Sequence, residues 1–189
     1  MKNFWPWLVA LGTPIGIILI FTLAYTFMYS ARIPQDRIHE VISSWAIVLI
    51  GINIAIWTVI SVWRIKEDLT FNPFQWKGYN ELVAFLVAFL GLHILGIIRR
   101  LLDLEIPNPV NFSFPIGFLS FIWAFEEVIF RAYVFNAFGG ILGYIISTIS
   151  FGLHHIGASF QYFLYASIGG LILGGIYWKT EAFWGVFFA

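Results

Sequence analysis

The stretch Phe125–Phe135, FEEVIFRAYVF, places Glu126, Glu127 and Arg131 at the centre of a long apolar region. The chain around it has 189 residues, of which 60% are hydrophobic and only 11% are charged, and its mean hydropathy is +0.88. Soluble domains carry about 25% charged residues. The composition therefore predicts an integral membrane protein, and three ionisable groups inside one of its spans require an explanation.

The charge balance and the cysteine count exclude several classes of function. Lys and Arg together number 10, as do Asp and Glu, so the formal net charge is zero and no nucleic-acid partner is expected. There is no cysteine, which excludes disulfides, thiolate nucleophiles and thiolate metal sites. The partner that this composition predicts is the lipid bilayer.

The expected fold class is all-α, a polytopic bundle of transmembrane helices that forms one membrane domain over residues 1–189. A span needs about 20 mainly apolar residues. Six segments approach that length, and a seventh begins near Phe183. The six are Trp5–Tyr29, Val41–Trp63, Leu82–Ile98, Pro115–Ala137, Gly140–Ala158 and Tyr162–Trp178. We expect a multi-pass protein of the cell membrane, with the first span as an uncleaved anchor.

Small residues recur every four positions in two of these segments. Such spacing lets helix backbones approach closely in lipid. We interpret both series as contacts inside the bundle, formed by Gly139, Gly143 and Ser147 in one segment and by Ala166, Gly170 and Gly174 in the other.

The spacing of the three charges separates their expected roles. Glu127 and Arg131 are four positions apart with the acid first, so they can pair on one helix face. This pair is either a structural clamp or a part of a site. Glu126 points about 100° away around the helix and has no partner in its own span. Because a charge at the bilayer centre costs about 2.5–3.5 kcal/mol and is usually functional, Glu126 needs a group from another helix.

The segment Phe151–Gly157, FGLHHIG, offers that group. His155 continues a series of residues spaced by four, so we expect it to face the bundle interior, whereas His154 is expected to point elsewhere, toward the cavity rim. A carboxylate and a histidine that converge on one water form a general base. Counted from the start of its segment, His155 lies roughly 22 Å deep and should sit several Å nearer one surface than Glu126.

Other interpretations of these residues stay open. A buried polar network could simply fix the register of the helices, and His93 is interpreted in that way, as a histidine bonded to a neighbouring helix. Intramembrane Glu, His and Arg also form proton relays, which would suit a proton-coupled transporter, although no internal repeat is visible. A non-catalytic membrane scaffold is the third possibility.

Two motifs resemble those of the CAAX protease and bacteriocin-processing family, which includes the type II CAAX prenyl endopeptidases. The family's Glu-Glu-x-x-x-Arg corresponds to Glu126, Glu127 and Arg131, and its Phe-x-x-x-His corresponds to Phe151 and His155.

The resemblance covers about residues 119–189. It divides the membrane domain into N-terminal spans without family motifs, residues 1–114, and a family-like core, residues 115–189. The family's third motif, a histidine with Asn or Asp four positions later, has no match before Ala189. The apolar stretch from Phe183 onward would be only about 10 Å long as a helix, which predicts a fragment; the other interpretation is a degenerate, inactive member.

The resemblance implies an intramembrane endopeptidase that cleaves a membrane-tethered peptide or protein. By that resemblance, Glu126 and His155 would activate the attacking water, while Glu127 and Arg131 would hold the site or position the substrate. The family has been described both as glutamate proteases and as metalloproteases. Glu126 and His155 supply only two suitable ligands, whereas a catalytic zinc usually has three protein ligands. We therefore expect no cofactor, with zinc bound by these two residues as the alternative.

Overall fold

The computed structural model describes residues 4–32, 35–101, 124–156 and 160–189, with the side chains of residues 35–47 outside the description. Every regular element in these ranges is helical, so the all-α prediction is confirmed for them. A helical run at 124–127 leads into a π-helix, here called π1. The elements are α1 (Phe4–Ser30), α2 (Gln35–Asp68), α3 (Tyr79–Leu101), π1 (Val128–Phe135), α4 (Asn136–Phe138), α5 (Gly140–His154), α6 (Phe160–Thr180) and α7 (Phe183–Phe187).

Four of the described helices are long and apolar enough to cross a membrane. They are α1, the Val48–Asp68 part of α2, α3 and α6. They correspond to four of the predicted spans. The predicted span Gly140–Ala158 is the shorter apolar helix α5, which ends at His154, and the predicted span Pro115–Ala137 begins outside the described residues. The expected number of six spans and a partial seventh therefore stays a prediction.

The segment π1 lies at the centre of the bundle. All of its residues are buried, and Ile129, Phe130 and Val134 are completely inaccessible. It packs against α1, α2 and α5, and α5 in turn packs along α6. The residues that flank π1 are therefore held by several helices at once.

The side chain of Asn136 explains how the wider helix is tolerated. Its Nδ2 atom donates to the carbonyl oxygens of Arg131 and Ala132, each at 3.0 Å, and to the hydroxyl of Tyr177 at 2.7 Å. Buried carbonyl groups need such partners, because none can reach water. π-Helical turns are rare and occur frequently at functional sites.

The predicted bundle contacts of the small residues are mostly confirmed. A Cβ on Gly143 would clash with the carbonyl oxygen of Phe135, and one on Gly174 would lie 3.2 Å from the ring of Tyr144. Gly139 differs from the prediction. It has φ of +69° and open space around its Cα, so it forms the turn between α4 and α5 instead of a helix contact.

Candidate active site

The site lies where the start of π1 meets the end of α5. Glu126 is in the helical run that precedes π1, and its side chain is only 4% exposed. The turn at Gly139 folds π1 and α5 into a hairpin, so the end of α5 returns to the level of Glu126. Local structure therefore brings together two motifs that are 28 or 29 positions apart in the sequence.

Glu126 and His155 converge as the sequence predicts. The Oε2 atom of Glu126 is 3.8 Å from Nε2 of His155. The other ring nitrogen of His155, Nδ1, is 2.9 Å from the carbonyl oxygen of Phe151. Because a carbonyl oxygen can only accept, Nδ1 carries the hydrogen, and the neutral ring presents the lone pair of Nε2 toward Glu126.

The expected difference in depth does not keep these two side chains apart. That expectation counted depth from the start of each segment, whereas the hairpin fixes it from the shared turn. Glu126 is 13 positions before Gly139 and His155 is 16 positions after it. Three residues of helix amount to about 4.5 Å, which the two side chains bridge.

The expectation that His154 points elsewhere, toward the cavity rim, is wrong. Its Nε2 atom is 3.1 Å from Oε1 of Glu126, and both side chains are buried. The expectation assumed an α-helix through both histidines. However, α5 ends at His154, and His155 has φ of −97° and ψ of −2°, with its N–H directed at the carbonyl oxygens of Gly152 and Leu153. The normal angle of about 100° between successive side chains therefore does not apply here.

Glu127 and Arg131 form the expected ion pair, with Nε of Arg131 3.2 Å from Oε2 of Glu127. The guanidinium is completely buried. Its carbon lies 4.4 Å from the ring centroid of Phe151, and Nη2 is 3.4 Å from the carbonyl oxygen of Gly170. Arg131 thus links π1 to both α5 and α6. Whether the pair also takes part in chemistry stays a prediction.

Among the described residues, His93 bonds within its own helix and not to a neighbouring one. Its Nδ1 atom is 2.8 Å from the carbonyl oxygen of Phe89, one turn earlier in α3, and the residue is exposed. The sequence interpretation is therefore wrong about the partner. His93 satisfies one ring nitrogen within its own helix and lies outside the site.

A cavity of about 570 Å³ adjoins the site. Glu126, Glu127 and His155 contribute to its wall, together with Tyr162 and Tyr165 from α6. The ring of Tyr162 lies 5.2 Å from that of His155. Most other lining residues are apolar, among them Leu92, Leu95, Leu173, Val186 and Phe187. Sequence reasoning missed Tyr162, whose signal was its i,i+3 spacing with a second tyrosine on an otherwise apolar helix.

The side chains around Glu126 include the ligand types of a zinc site. Glu126, His154 and His155 together have the composition of a His₂Glu site. In the described ranges, however, no group of three His, Cys, Asp or Glu side chains is arranged to hold a metal ion. The Oε1 atom of Glu126 is instead bonded directly to His154. Independence of a metal stays a prediction.

These features define a class of protein. A buried carboxylate and a histidine lone pair at the wall of an apolar cavity, among helices able to span a membrane, are an arrangement that also suits a membrane-embedded hydrolase. Residues 108–189 match the family model described as type II CAAX prenyl endopeptidase Rce1-like. This region is therefore similar to that family, and the resemblance of the two motifs, which lie within it, is confirmed. No curated protein and no solved structure gives a match.

Proposed function

We propose that the chain is an intramembrane endopeptidase in which Glu126 and His155 activate the water that attacks a peptide bond. The observation that carries the proposal is the 3.8 Å separation of Glu126 Oε2 and His155 Nε2 at the cavity wall. Both atoms are acceptors, so no direct hydrogen bond joins them. One water can nevertheless reach both of them with bonds of ordinary length, about 2.8 Å each.

The hydrolysis follows from this placement. The water oxygen attacks the carbonyl carbon of the substrate while one of its protons moves to Glu126 or His155. The same group then gives the proton to the amide nitrogen, the carbon–nitrogen bond breaks, and a carboxylic acid and an amine leave. General acid–base catalysis of this kind contributes about 10²–10⁴-fold to the rate.

The ion pair of Glu127 and Arg131 supports this step by holding π1 against α5 and α6. Arg131 contacts Phe151, and Phe151 supplies the carbonyl oxygen that orients His155. A substitution in the pair would therefore alter the orientation of His155 through Phe151. In this proposal the pair holds the catalytic groups and does not exchange protons with the substrate.

The substrate in this proposal is a membrane-tethered peptide or protein in the cell membrane. The apolar walls of the cavity suit a lipidated or apolar segment next to the scissile bond. The description of the matching family favours a prenylated C-terminal peptide over a bacteriocin leader or a signalling precursor. No cofactor is included, and no step is assigned to a metal.

A cleavage assay on the full chain in lipid nanodiscs tests the proposal. The probe is an internally quenched peptide with a farnesylated cysteine in a C-terminal CAAX sequence, and the same peptide without farnesyl is the substrate control. We expect the chain to cleave the farnesylated peptide and Glu126→Gln to lose at least 10³-fold in rate. Glu67→Gln is the matched control, because Glu67 is an exposed glutamate that does not line the cavity.

Two results would overturn the proposal. Undiminished cleavage by Glu126→Gln would remove the glutamate from the chemistry. A folded wild-type chain that cleaves none of the lipidated peptides would favour the scaffold interpretation. Proton-driven uptake into proteoliposomes that disappears in Glu126→Gln would favour the transporter.

A further inference from the structure

We propose that His154 is a positioning residue of this site. Its Nε2–H holds Oε1 of Glu126 and thereby leaves Oε2 as the oxygen that faces His155 and the attacking water. The inference rests on the proposed function for its consequence in catalysis. The hydrogen-bond arrangement itself can be measured without any activity.

The contact between His154 and Glu126 has the geometry of a direct hydrogen bond. The two heavy atoms are 3.1 Å apart, within the normal range for N–H···O bonds. The side chains are 3% and 4% exposed, so bulk water does not compete for either atom. An ionised carboxylate only accepts, and therefore Nε2 of His154 carries the hydrogen.

The two adjacent histidines consequently have opposite tautomers. His155 carries its hydrogen on Nδ1, where the carbonyl oxygen of Phe151 accepts it, and directs a lone pair on Nε2 toward Glu126. His154 carries its hydrogen on Nε2 and donates it to the same carboxylate. One histidine is thus placed as an acceptor and the other as a donor, with Glu126 between them.

His154 has no competing polar role in the part of the chain that the structure describes. Its Nδ1 atom is buried without a hydrogen-bond partner. The ring otherwise contacts aromatic side chains, with its centroid 6.0 Å from Phe130 and 5.2 Å from His155. If His154 served only to fix helix packing, a ring with both nitrogens satisfied or an apolar residue would serve better. Its bond to Glu126 is the feature that needs a histidine.

The consequence for catalysis follows from the freedom of a carboxylate. Without a donor on Oε1, the side chain of Glu126 could rotate in the cavity wall and present either oxygen, or neither, to the water. A misplacement of about 1 Å in a catalytic group can cost about 100-fold in rate. The donor on Oε1 therefore acts through Glu126, and His154 touches neither water nor substrate.

Nitrogen NMR of the histidine rings tests the hydrogen-bond arrangement directly. The chain has four histidines, so ¹⁵N-histidine labelling in nanodiscs at one neutral pH gives few signals. The spectra of His154→Gln and His155→Gln each lack one pair of ring-nitrogen signals, which assigns that pair to the substituted histidine. We expect His154 to be protonated at Nε2 and His155 at Nδ1. The same tautomer in both rings, or Nδ1–H in His154, would overturn the inference.

Two variants test the effect on cleavage. His154→Phe keeps the ring volume and removes the donor, so we expect kcat to fall 10- to 100-fold while KM changes less than twofold. His154→Gln can place an amide N–H near the position of Nε2, and we expect it to keep at least a third of the wild-type kcat. A merely structural role predicts similar losses in both variants, together with a lower melting temperature.

The outcomes separate this inference from the proposed function. If the wild-type chain cleaves and His154→Phe cleaves equally well, the positioning role is wrong and the endopeptidase stands. If both variants lose activity equally, His154 is structural. If the wild-type chain does not cleave, the proposed function fails, and the tautomers alone decide whether His154 orients Glu126.

Discussion

Two buried glutamates lie in different regions of this molecule and differ in what their oxygens contact. Glu81, at the start of α3, accepts the backbone N–H of Lys77 at 3.1 Å on Oε1 and that of Gly185 at 2.6 Å on Oε2. Glu126 has one oxygen bonded to His154, while the other faces His155 across 3.8 Å at the cavity wall. Both oxygens of the first carboxylate bond to the backbone, whereas in the proposed function the second carboxylate keeps one oxygen for the attacking water.

Hydrogen-bond satisfaction distinguishes a structural from a functional buried charge in an apolar protein. The cost of burying a charge is offset only when hydrogen bonds satisfy it. Glu81 meets that condition and ties α7 to α3. Around Glu126 it is not fully met among the described residues, because Nη1 of Arg131 and Nδ1 of His154 are buried there without hydrogen-bond partners. A site that retains unsatisfied polar atoms is typical of function.

The change with the largest expected effect on cleavage, apart from those at Glu126, is His155→Gln. It removes the ring lone pair that faces Glu126, so we expect cleavage of the farnesylated peptide to fall 10²–10⁴-fold, as loss of an acid–base group does. The melting temperature in nanodiscs should change little, because the residue lies at the cavity. His93→Gln, in an exposed position of α3, is the control and should cleave normally. Normal cleavage by His155→Gln would leave Glu126 without its partner.

Arg131→Met should produce the largest loss of stability. It leaves the charge of Glu127 buried without its cation, and breaking a buried pair in this way costs about 3–5 kcal/mol. The measurement is the free energy of unfolding in mixed detergent micelles. The double variant with Glu127→Gln removes both charges and should recover most of the loss. An unchanged single variant would show that the pair does not hold the hairpin.

Glu81→Gln should destabilise the protein less and leave the chemistry intact. Both backbone N–H partners would lose a charged acceptor, and the one that faces the new NH₂ group would lose its acceptor altogether; the loss of a hydrogen bond to a charged group costs about 1.5–3 kcal/mol. We expect a lower melting temperature and, in the folded fraction, a kcat within about twofold of the wild-type value. A large loss of kcat with unchanged stability would reverse the roles assigned to the two glutamates.

The smallest expected effect is that of chelators. Because the described side chains hold no arrangement of three metal ligands, treatment with EDTA or phenanthroline should change cleavage less than twofold. Loss of activity that returns with added Zn²⁺ would contradict a water activated by side chains alone. It would point to the alternative in which Glu126 and His155 bind zinc.

Much of this arrangement could be predicted from the sequence, because four-residue spacing reports on helix faces. It predicted the pair of Glu127 and Arg131 and the convergence of Glu126 with His155. It was wrong about His154 because the helix ends there, and spacing rules hold only inside a regular helix. The long-range bond from Asn136 to Tyr177 connects residues 41 positions apart, which no local pattern reveals. The same holds for Glu81 and Gly185.

One paired measurement tests the contrast between the two buried glutamates most directly. Glu126→Gln and Glu81→Gln are prepared side by side in nanodiscs, and both the rate of peptide cleavage and the melting temperature are determined for each. We expect Glu126→Gln to lose at least 10³-fold in rate with a nearly unchanged melting temperature, and Glu81→Gln to lose stability but retain its rate. Equal losses of rate in both variants, or retained cleavage in Glu126→Gln, would contradict the account.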